Sequence, residues 1–272
     1  MTGDGGTMEK GVFNPNKGAD GEMFIGWAKA PAVDRRFLFG AIPAAVATAG
    51  GAAYAVASNL ADPGAGAWLT GAAHSVSGVL VNQPYPMIRM PDPTSPFGMR
   101  TVLVVSEGKC TSGLKLDEDA GRSVRADGVL IQRKDRQMLE VPLFLDKWLF
   151  DADASAFDVP ALSAPRAERL GQASLSGMIM DSKCFFGVMK PSRGKTHKAC
   201  ATLCVRGGIP PSFWARTKDG RESVLLMTDA EGGPLKDDIL PLIADAVRVT
   251  GEIVRVGDLL QLRADASAFE RI

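Results

Sequence analysis

The stretch SVRADGVLIQRKDRQMLEV spans Ser123–Val141, and a related stretch, AVRVTGEIVRVGDLLQLRA, spans Ala246–Ala264. Each copy places alternating apolar residues on both sides of a short polar break, Lys134–Asp135 in the first and Gly257–Asp258 in the second. Alternation that is interrupted by two turn-forming residues is typical of a β-hairpin. Each stretch is therefore predicted to form two antiparallel strands joined by a tight turn.

Other segments are repeated in the same order along the chain, which indicates a duplicated module. The hexapeptide ADASAF follows each hairpin without a single change. A short apolar run, typical of a buried strand, precedes each hairpin. The matched pairs are Ser75–Met90 with Ser174–Met189, Val102–Val105 with Val224–Met227, and Ala152–Phe157 with Ala264–Phe269.

Each copy supplies about five antiparallel strands, and closing them into a small barrel would leave few exposed strand edges. A β-sandwich is the alternative fold. The hairpin pattern V-R-V-x-G-x-I/V-x-R resembles the later strands of small OB-fold proteins that are anchored outside bacterial inner membranes. The resemblance implies a mainly β protein with two tandem OB-like barrels, at residues 73–160 and 172–272.

The N-terminal part contains a segment that could cross a membrane. Between Arg36 and Asp62 the only ionisable side chain is that of Tyr54, and this length can span a hydrocarbon core of about 30 Å. We expect a transmembrane anchor at residues 35–61, preceded by a flexible tail at residues 1–34. A buried globular helix and a twin-arginine export signal are the alternatives.

The basic residues flanking this segment predict its orientation. They precede the span, and no lysine or arginine follows it until Arg89. The positive-inside rule then places the tail in the cytoplasm and the barrels outside. We expect a single-pass protein of the bacterial inner membrane with periplasmic C-terminal domains.

The second copy contains an insertion that the first copy lacks. The offset between matched residues grows from 99 before the insertion to 122 after it. The insertion, residues 183–212, includes three of the four cysteines of the chain and one of its two histidines. The four candidate metal ligands are Cys184, His197, Cys200 and Cys204.

A short helix is expected to present three of these ligands on one face. Thr196 is predicted to cap its start, and Gly207–Gly208 to end it. Residues 197, 200 and 204 are spaced i, i+3 and i+7, so their side chains would point the same way. Cys184, at the end of the preceding strand, would supply a fourth donor. Asp181 either hydrogen-bonds His197 or caps the strand end.

Three interpretations of this cluster remain open. Three thiols and an imidazole suit Zn²⁺ or Cu⁺ in tetrahedral geometry. In an oxidising compartment, a disulfide from Cys184 to Cys200 or Cys204 could instead staple the insertion to the barrel. Thiol redox catalysis is the third possibility. Cys110, which stands alone in the first copy, is expected to be a small buried apolar residue.

The insertion is basic although the protein carries 31 basic and 31 acidic residues. No acidic residue occurs from Ser182 to Thr217, so this region could dock an anion, a lipid headgroup or an acidic partner. The candidate docking residues are Lys190, Arg193, Lys195, Lys198 and Arg206.

No hydrolase, nucleotide-binding or paired-carboxylate motif occurs, which favours a non-enzymatic role. We expect an accessory or assembly subunit of a membrane complex for electron transfer or metal handling. Its partners would be the membrane and other subunits, with no nucleic acid, because the exterior compartment and the lack of stacking aromatics argue against it. The alternative function is an exported thiol-disulfide oxidoreductase.

Overall fold

The computed structural model describes residues 32–59, 64–111, 119–143, 147–216 and 222–272. The predicted N-terminal tail lies almost entirely outside the described residues. The chain divides into two units, residues 1–51 and residues 52–272.

Helix α1 (Ala32–Asn59) coincides closely with the predicted anchor. Its segment Arg35–Ala55 is long and apolar enough to cross a membrane, and none of it is buried. A core helix of a soluble protein would be mostly buried, so the globular alternative does not fit. A membrane span and a signal sequence both remain compatible with this helix.

The strands form two sheets of six, one after the other along the chain. A short helix, α2 (Val159–Ser163), lies between them in sequence. The first sheet consists of β1 (Gly66–Val81), β2 (Met87–Pro91), β3 (Met99–Ser106), β4 (Ser123–Arg133), β5 (Arg136–Val141) and β6 (Leu149–Asp151). The second sheet consists of β7 (Ala167–Asp181), β8 (Pro211–Arg216), β9 (Glu222–Thr228), β10 (Ala246–Val256), β11 (Leu259–Arg263) and β12 (Phe269–Arg271).

Both sheets close on themselves with the same topology. In the first, the order β1-β2-β3-β5-β4 returns to β1 through a direct β1–β4 pairing. The second repeats this as β7-β8-β9-β11-β10, closed by β7–β10. The third and fifth strands of each barrel pair in parallel, and the other barrel pairings are antiparallel. The prediction of two tandem OB-like barrels is confirmed, and the β-sandwich alternative is wrong because a sandwich would leave its sheets open.

The two predicted hairpins have the expected registers. Arg133 pairs with Arg136 and Val256 pairs with Leu259, so each turn has two residues. Lys134 and Gly257 begin these turns with φ of 55° and 60°. Positive φ at the first turn position is what a tight hairpin of this kind requires. The turns therefore follow directly from the sequence pattern.

A repeated glycine lets the first strand of each barrel approach its neighbour closely. A Cβ at Gly78 would lie 2.3 Å from the carbonyl oxygen of Arg89, and one at Gly177 would lie 2.0 Å from that of Trp214. No side chain fits at such distances. The glycine shared by the two copies is therefore required by backbone contact.

A shared hydrophobic core joins the two barrels. Apolar side chains of the first barrel, including Met87 and Ile131, pack in one buried cluster with Met180, Phe185 and Leu226 of the second. The hydroxyl of Tyr85 crosses the same boundary and donates to the carbonyl oxygen of Met227 over 3.0 Å. Because burial of apolar area drives association, this core stabilises the barrels against each other.

The second hairpin turn also docks on the first barrel. Thr101 donates its backbone N–H to one carboxylate oxygen of Asp258 over 2.9 Å and its hydroxyl to the other over 2.5 Å. The residue at the equivalent position of the first hairpin, Asp135, remains 63% exposed. One copy of this turn has thus become part of the contact between the barrels.

Candidate metal centre

The insertion lies between the first two strands of the second barrel. It covers residues 182–210, whereas residues 82–86 make the same connection in the first barrel. It begins with a helical turn at Cys184–Val188 and continues to helix α3 (Lys198–Arg206). The prediction that the insertion occurs in the second barrel and not in the first is confirmed.

Helix α3 starts later than the sequence indicates. A 3₁₀ turn, Lys195–His197, precedes it, and His197 stands at its N-cap without a capping side-chain hydrogen bond. The prediction that Thr196 caps the helix is wrong, because Gly194, at φ 86°, opens the 3₁₀ turn instead. His197 is therefore held by the turn, while Cys200 and Cys204 lie within the helix.

The C-terminal end of α3 follows the prediction. The N–H groups of Gly207 and Gly208 bond to the carbonyl oxygens of Leu203 and Val205. Gly208 adopts φ 96°, which a side chain would disfavour. The chain then leads through Ile209 into β8.

The four predicted ligands fall into two overlapping groups. Ligand atoms of Cys184, His197 and Cys200 all lie within 4.8 Å of one another, and those of Asp181, Cys184 and Cys204 do the same. Cys184, His197 and Cys204 are buried, and Cys200 is partly exposed. All four cysteines of the chain are free thiols, with Cys110 outside these groups. Cys184 belongs to both groups, so it links His197 and Cys200 on one side to Cys204 on the other, and the centre opens to solvent at Cys200.

Asp181 connects the strand end to the imidazole. One of its carboxylate oxygens accepts the backbone N–H of Cys184 over 2.7 Å, and the other lies 3.0 Å from Nε2 of His197. Both roles considered from the sequence are present together. A carboxylate on one ring nitrogen fixes the orientation of the imidazole and leaves the other nitrogen, Nδ1, for a ligand.

The thiols differ in their readiness to lose a proton. The pKa of Cys204 is lowered, chiefly because its sulfur accepts a hydrogen bond from Cys184. The pKa of Cys184 is raised by donating that bond, by burial and by the nearby Asp181 carboxylate. Cys204 is therefore the first thiolate of this pair.

A lysine of the first barrel reaches the partly exposed thiol. Nζ of Lys109 donates to Sγ of Cys200 over 2.6 Å, and this bond raises the pKa of Lys109. The same ammonium also favours the thiolate form of Cys204 through its charge. Lys109 belongs to the segment that follows β3, so both barrels contribute to the centre.

Lys183, which the sequence places in the basic insertion, is buried instead. Its ammonium lies 2.7 Å from Glu140 in β5 and donates to the carbonyl oxygens of Ser106 and Gly108. The second carboxylate oxygen of Glu140 accepts the indole N–H of Trp68 over 2.8 Å. The pair forms an ionic bridge between the barrels rather than part of an exposed basic surface.

The predicted docking residues fall into two groups. Arg193 stacks on Trp214 at 4.1 Å from the ring centroid and lies 3.4 Å from Glu222, and Lys198 contacts Asp245 at 2.8 Å. These two cations are engaged within the protein. The other three are exposed and have no side-chain partner among the described residues: Lys190, Lys195 and Arg206.

Comparisons with known proteins add little to this description. No protein-family model and no curated protein matches the chain. One solved structure that does match is a deletion mutant of the single-stranded DNA binding protein from Thermus aquaticus. The two are 13% identical, the match covers 78% of this chain and 90% of the other, and the TM-score is 0.20. A likeness this low carries no argument for function.

The prediction of no nucleic-acid partner is nevertheless withdrawn, since the matched protein is by its name a single-stranded DNA binding protein. The exclusion used the expected compartment and the lack of stacking aromatics in the insertion. The aromatic argument concerns the insertion and not the barrels, and barrels of this topology also occur in proteins that bind single strands. The fold therefore gives no ground for the exclusion.

Sequence reasoning missed the contribution of the first barrel to the centre. Lys109 is 91 residues away from Cys200 and shows no motif. Only the adjacent Cys110 draws attention to this segment, and that thiol lies outside the two ligand groups. The missed residue becomes visible only when the barrels are packed together.

Proposed function

We propose that this protein is a non-enzymatic, membrane-anchored accessory protein that holds one thiophilic metal ion at Cys184, His197, Cys200 and Cys204. The observation that carries the proposal is that the largely buried Cys184 lies within 4.8 Å of His197 and Cys200 in one group and of Cys204 in another. Buried thiols without such an arrangement are common, but a fourfold set of soft donors is the usual composition of a structural zinc site. Cu⁺ has the same ligand preference.

The surrounding groups support this assignment. Asp181 occupies Nε2 of His197 and so leaves Nδ1 as the nitrogen that would bind an ion, as in carboxylate–histidine–metal arrangements. The lowered pKa of Cys204 assists the loss of a proton that metal binding requires. A bound ion would supply structural cross-linking between β7 and α3, and the chain would hold it through these four side chains.

The proposed location follows from α1. Lys29, Arg35 and Arg36, which precede the apolar part of this helix, would keep its N-terminus in the cytoplasm and the barrels in the periplasm of a bacterial inner membrane. There the protein would serve as an accessory or assembly subunit of a metal-handling or electron-transfer complex. Protease protection of the barrels in intact cells, lost when the outer membrane is permeabilised, would support this orientation; protection that persists would refute it.

Metal content tests the function. The full chain is purified in detergent, and bound metal and free thiols are measured on the same sample. We expect about one Zn²⁺ or Cu⁺ per chain, lost in His197→Ala and Cys204→Ser but kept in Cys110→Ser, whose thiol lies outside the ligand groups. A metal-free protein whose mass shows a disulfide from Cys184 would support the staple and refute the proposal.

An exported thiol-disulfide oxidoreductase is the second candidate, favoured by the partial exposure of Cys200 and its contact with Lys109. A thiolate at Cys200 would attack a substrate disulfide, and Cys184 would then displace the substrate thiol. The protein would lose two electrons and two protons to form its own disulfide, while the substrate disulfide gains them. Thiol trapping before and after mild reduction should then find two interconverting states, and a single state would exclude this function.

A further inference from the structure

Lys109 is held against the candidate centre by backbone hydrogen bonds. Thr111 lies two residues after Lys109. Its backbone N–H donates to the carbonyl oxygen of Gly207 over 2.8 Å, and its hydroxyl donates to the carbonyl oxygen of Gly208 over 2.9 Å. These bonds tie the segment after β3 to the C-terminal end of α3. The contact of the Lys109 ammonium with Cys200 is thus set by the docking of the first barrel.

The charge of the centre gives this lysine a role. Three thiolates around a divalent ion leave one negative charge, and the carboxylate of Asp181 adds another. Lys183 follows Asp181 closely in sequence, but its ammonium is bound to Glu140. Of the described cations, Lys109 is the one seen in hydrogen-bond contact with a thiol of the centre.

The different exposure of the candidate metal ligands gives Lys109 a second role. Cys200 is the ligand candidate that solvent reaches, since the other three are buried. An ion that enters or leaves must therefore pass beside Cys200, where the Lys109 ammonium lies 2.6 Å from the sulfur. A cation in this position also repels an approaching metal ion unless it moves aside.

We propose that Lys109, supplied by the first barrel, is a positioning residue of the metal centre that stabilises the ion-bound thiolates and slows exchange of the ion through Cys200. This inference rests on the proposed function. It makes ion retention depend on contact between the barrels, so that separating them would loosen the ion. The duplicated first barrel, which lacks ligands of its own, thereby acquires a function at the site of the second.

The experiment compares Lys109→Gln, Lys109→Arg and Lys195→Gln in the full chain in detergent. Lys195 is the matched control, because it is an exposed lysine of the insertion that carries the candidate ligands and has no partner among the described residues. Each protein is loaded with Zn²⁺ for affinity and chelator-driven release. Co²⁺ is then used as a spectroscopic probe of the metal–thiolate bonds.

We expect Lys109→Gln to weaken Zn²⁺ binding about tenfold or more, the usual effect of losing an outer partner of a metal ligand, and to speed release. The thiolate-to-Co²⁺ absorption should shift to lower energy, because the sulfur of Cys200 loses its charged donor. Lys109→Arg should restore most of the affinity and the band position, and Lys195→Gln should match the unmodified protein.

The outcomes separate this inference from the function on which it rests. If the unmodified protein binds neither ion, the metal centre itself is refuted. If it binds both, but Lys109→Gln leaves affinity, release and absorption unchanged, the role of Lys109 is refuted and the centre stands. Equal losses in Lys109→Gln and Lys109→Arg would also overturn the role. The band position at saturating Co²⁺ does not depend on folding stability, so a destabilised variant still gives an answer.

Discussion

Lys183→Met should sharply destabilise the protein, because it removes one partner of the buried ion pair between the barrels. The side chains of Lys183 and Glu140 are 3% and 7% exposed, and their charged atoms are 2.7 Å apart. The ammonium also satisfies two backbone carbonyl oxygens. Its loss would leave a buried carboxylate whose remaining partner is the indole of Trp68.

The magnitude follows from these contacts. Removing one partner of a buried pair costs about 3–5 kcal/mol, since the other charge stays without compensation. For a folded region of this size, that loss lowers the unfolding temperature by roughly 2–4 °C per kcal/mol, or about 10 °C in all. Glu140→Gln should cost less, because the amide oxygen can still accept from Trp68 and the Lys183 ammonium keeps its two backbone carbonyl acceptors. The double variant should fall short of the sum by about 2 kcal/mol.

Urea unfolding of the detergent-solubilised chain, followed by tryptophan fluorescence, measures these differences. Arg169→Met is the matched control: Arg169 makes a two-bond ion pair with Glu252 but is 74% exposed. An exposed pair contributes at most about 1 kcal/mol. The reasoning would be refuted if Lys183→Met cost no more than this control, or if the double variant were additive.

Three further predictions concern the barrels. Asp258→Ala should lower the unfolding free energy by about 2 kcal/mol, since the backbone N–H and the hydroxyl of Thr101 both lose a charged acceptor. Asp135→Ala, at the exposed equivalent position, should change it by less than about 0.5 kcal/mol. Equal effects of the two variants in urea titrations would contradict the docking of the second turn. Gly78→Ala should cost about 1–3 kcal/mol or prevent folding, because its Cβ would clash with the Arg89 carbonyl oxygen. Gly71→Ala in the same strand meets open space and should be tolerated. Equal unfolding temperatures of the two variants, measured by circular dichroism, would contradict the clash. The pKa of Asp92 is lowered from 3.8 to about 2, mainly by the hydrogen bond from Thr94 and then by that from Arg100. The contribution of Asp92 to stability should therefore be complete above about pH 4 and be lost as the pH falls through 2. A carboxyl carbon resonance of Asp92 that titrates near pH 4 would show that these contacts are absent in solution.

The barrels could be predicted from sequence because their determinants are local and repeated. The alternation in β4 and β5 and the two-residue turn at Lys134 specify a hairpin without reference to the rest of the chain. A second copy with the same pattern then excludes chance. The proximity of His197 and Cys200 was likewise predictable, since residues three apart in a helical stretch lie on the same side.

Packing between the barrels could not be predicted in this way. Lys183 stands in a basic segment with nothing beside it in the sequence that indicates burial, although it pairs with a carboxylate of the other barrel. Lys109 contacts a thiol that is 91 residues away, and no local pattern encodes such a distance. The start of α3 also differed, because a glycine-initiated 3₁₀ turn replaced the expected threonine cap. Contacts between distant segments depend on the assembled surfaces, which one sequence does not display.

X-ray absorption at the metal edge of the purified full-length protein tests the central claim most directly. The account predicts zinc or copper with about three sulfur neighbours, near 2.3 Å for zinc, and one nitrogen neighbour near 2.0 Å. Replacing Cys200 by serine should remove one sulfur from the shell, and Cys110→Ser should leave it unchanged. A shell of oxygen and nitrogen alone, or no bound metal with Cys184 in a disulfide, would contradict the account.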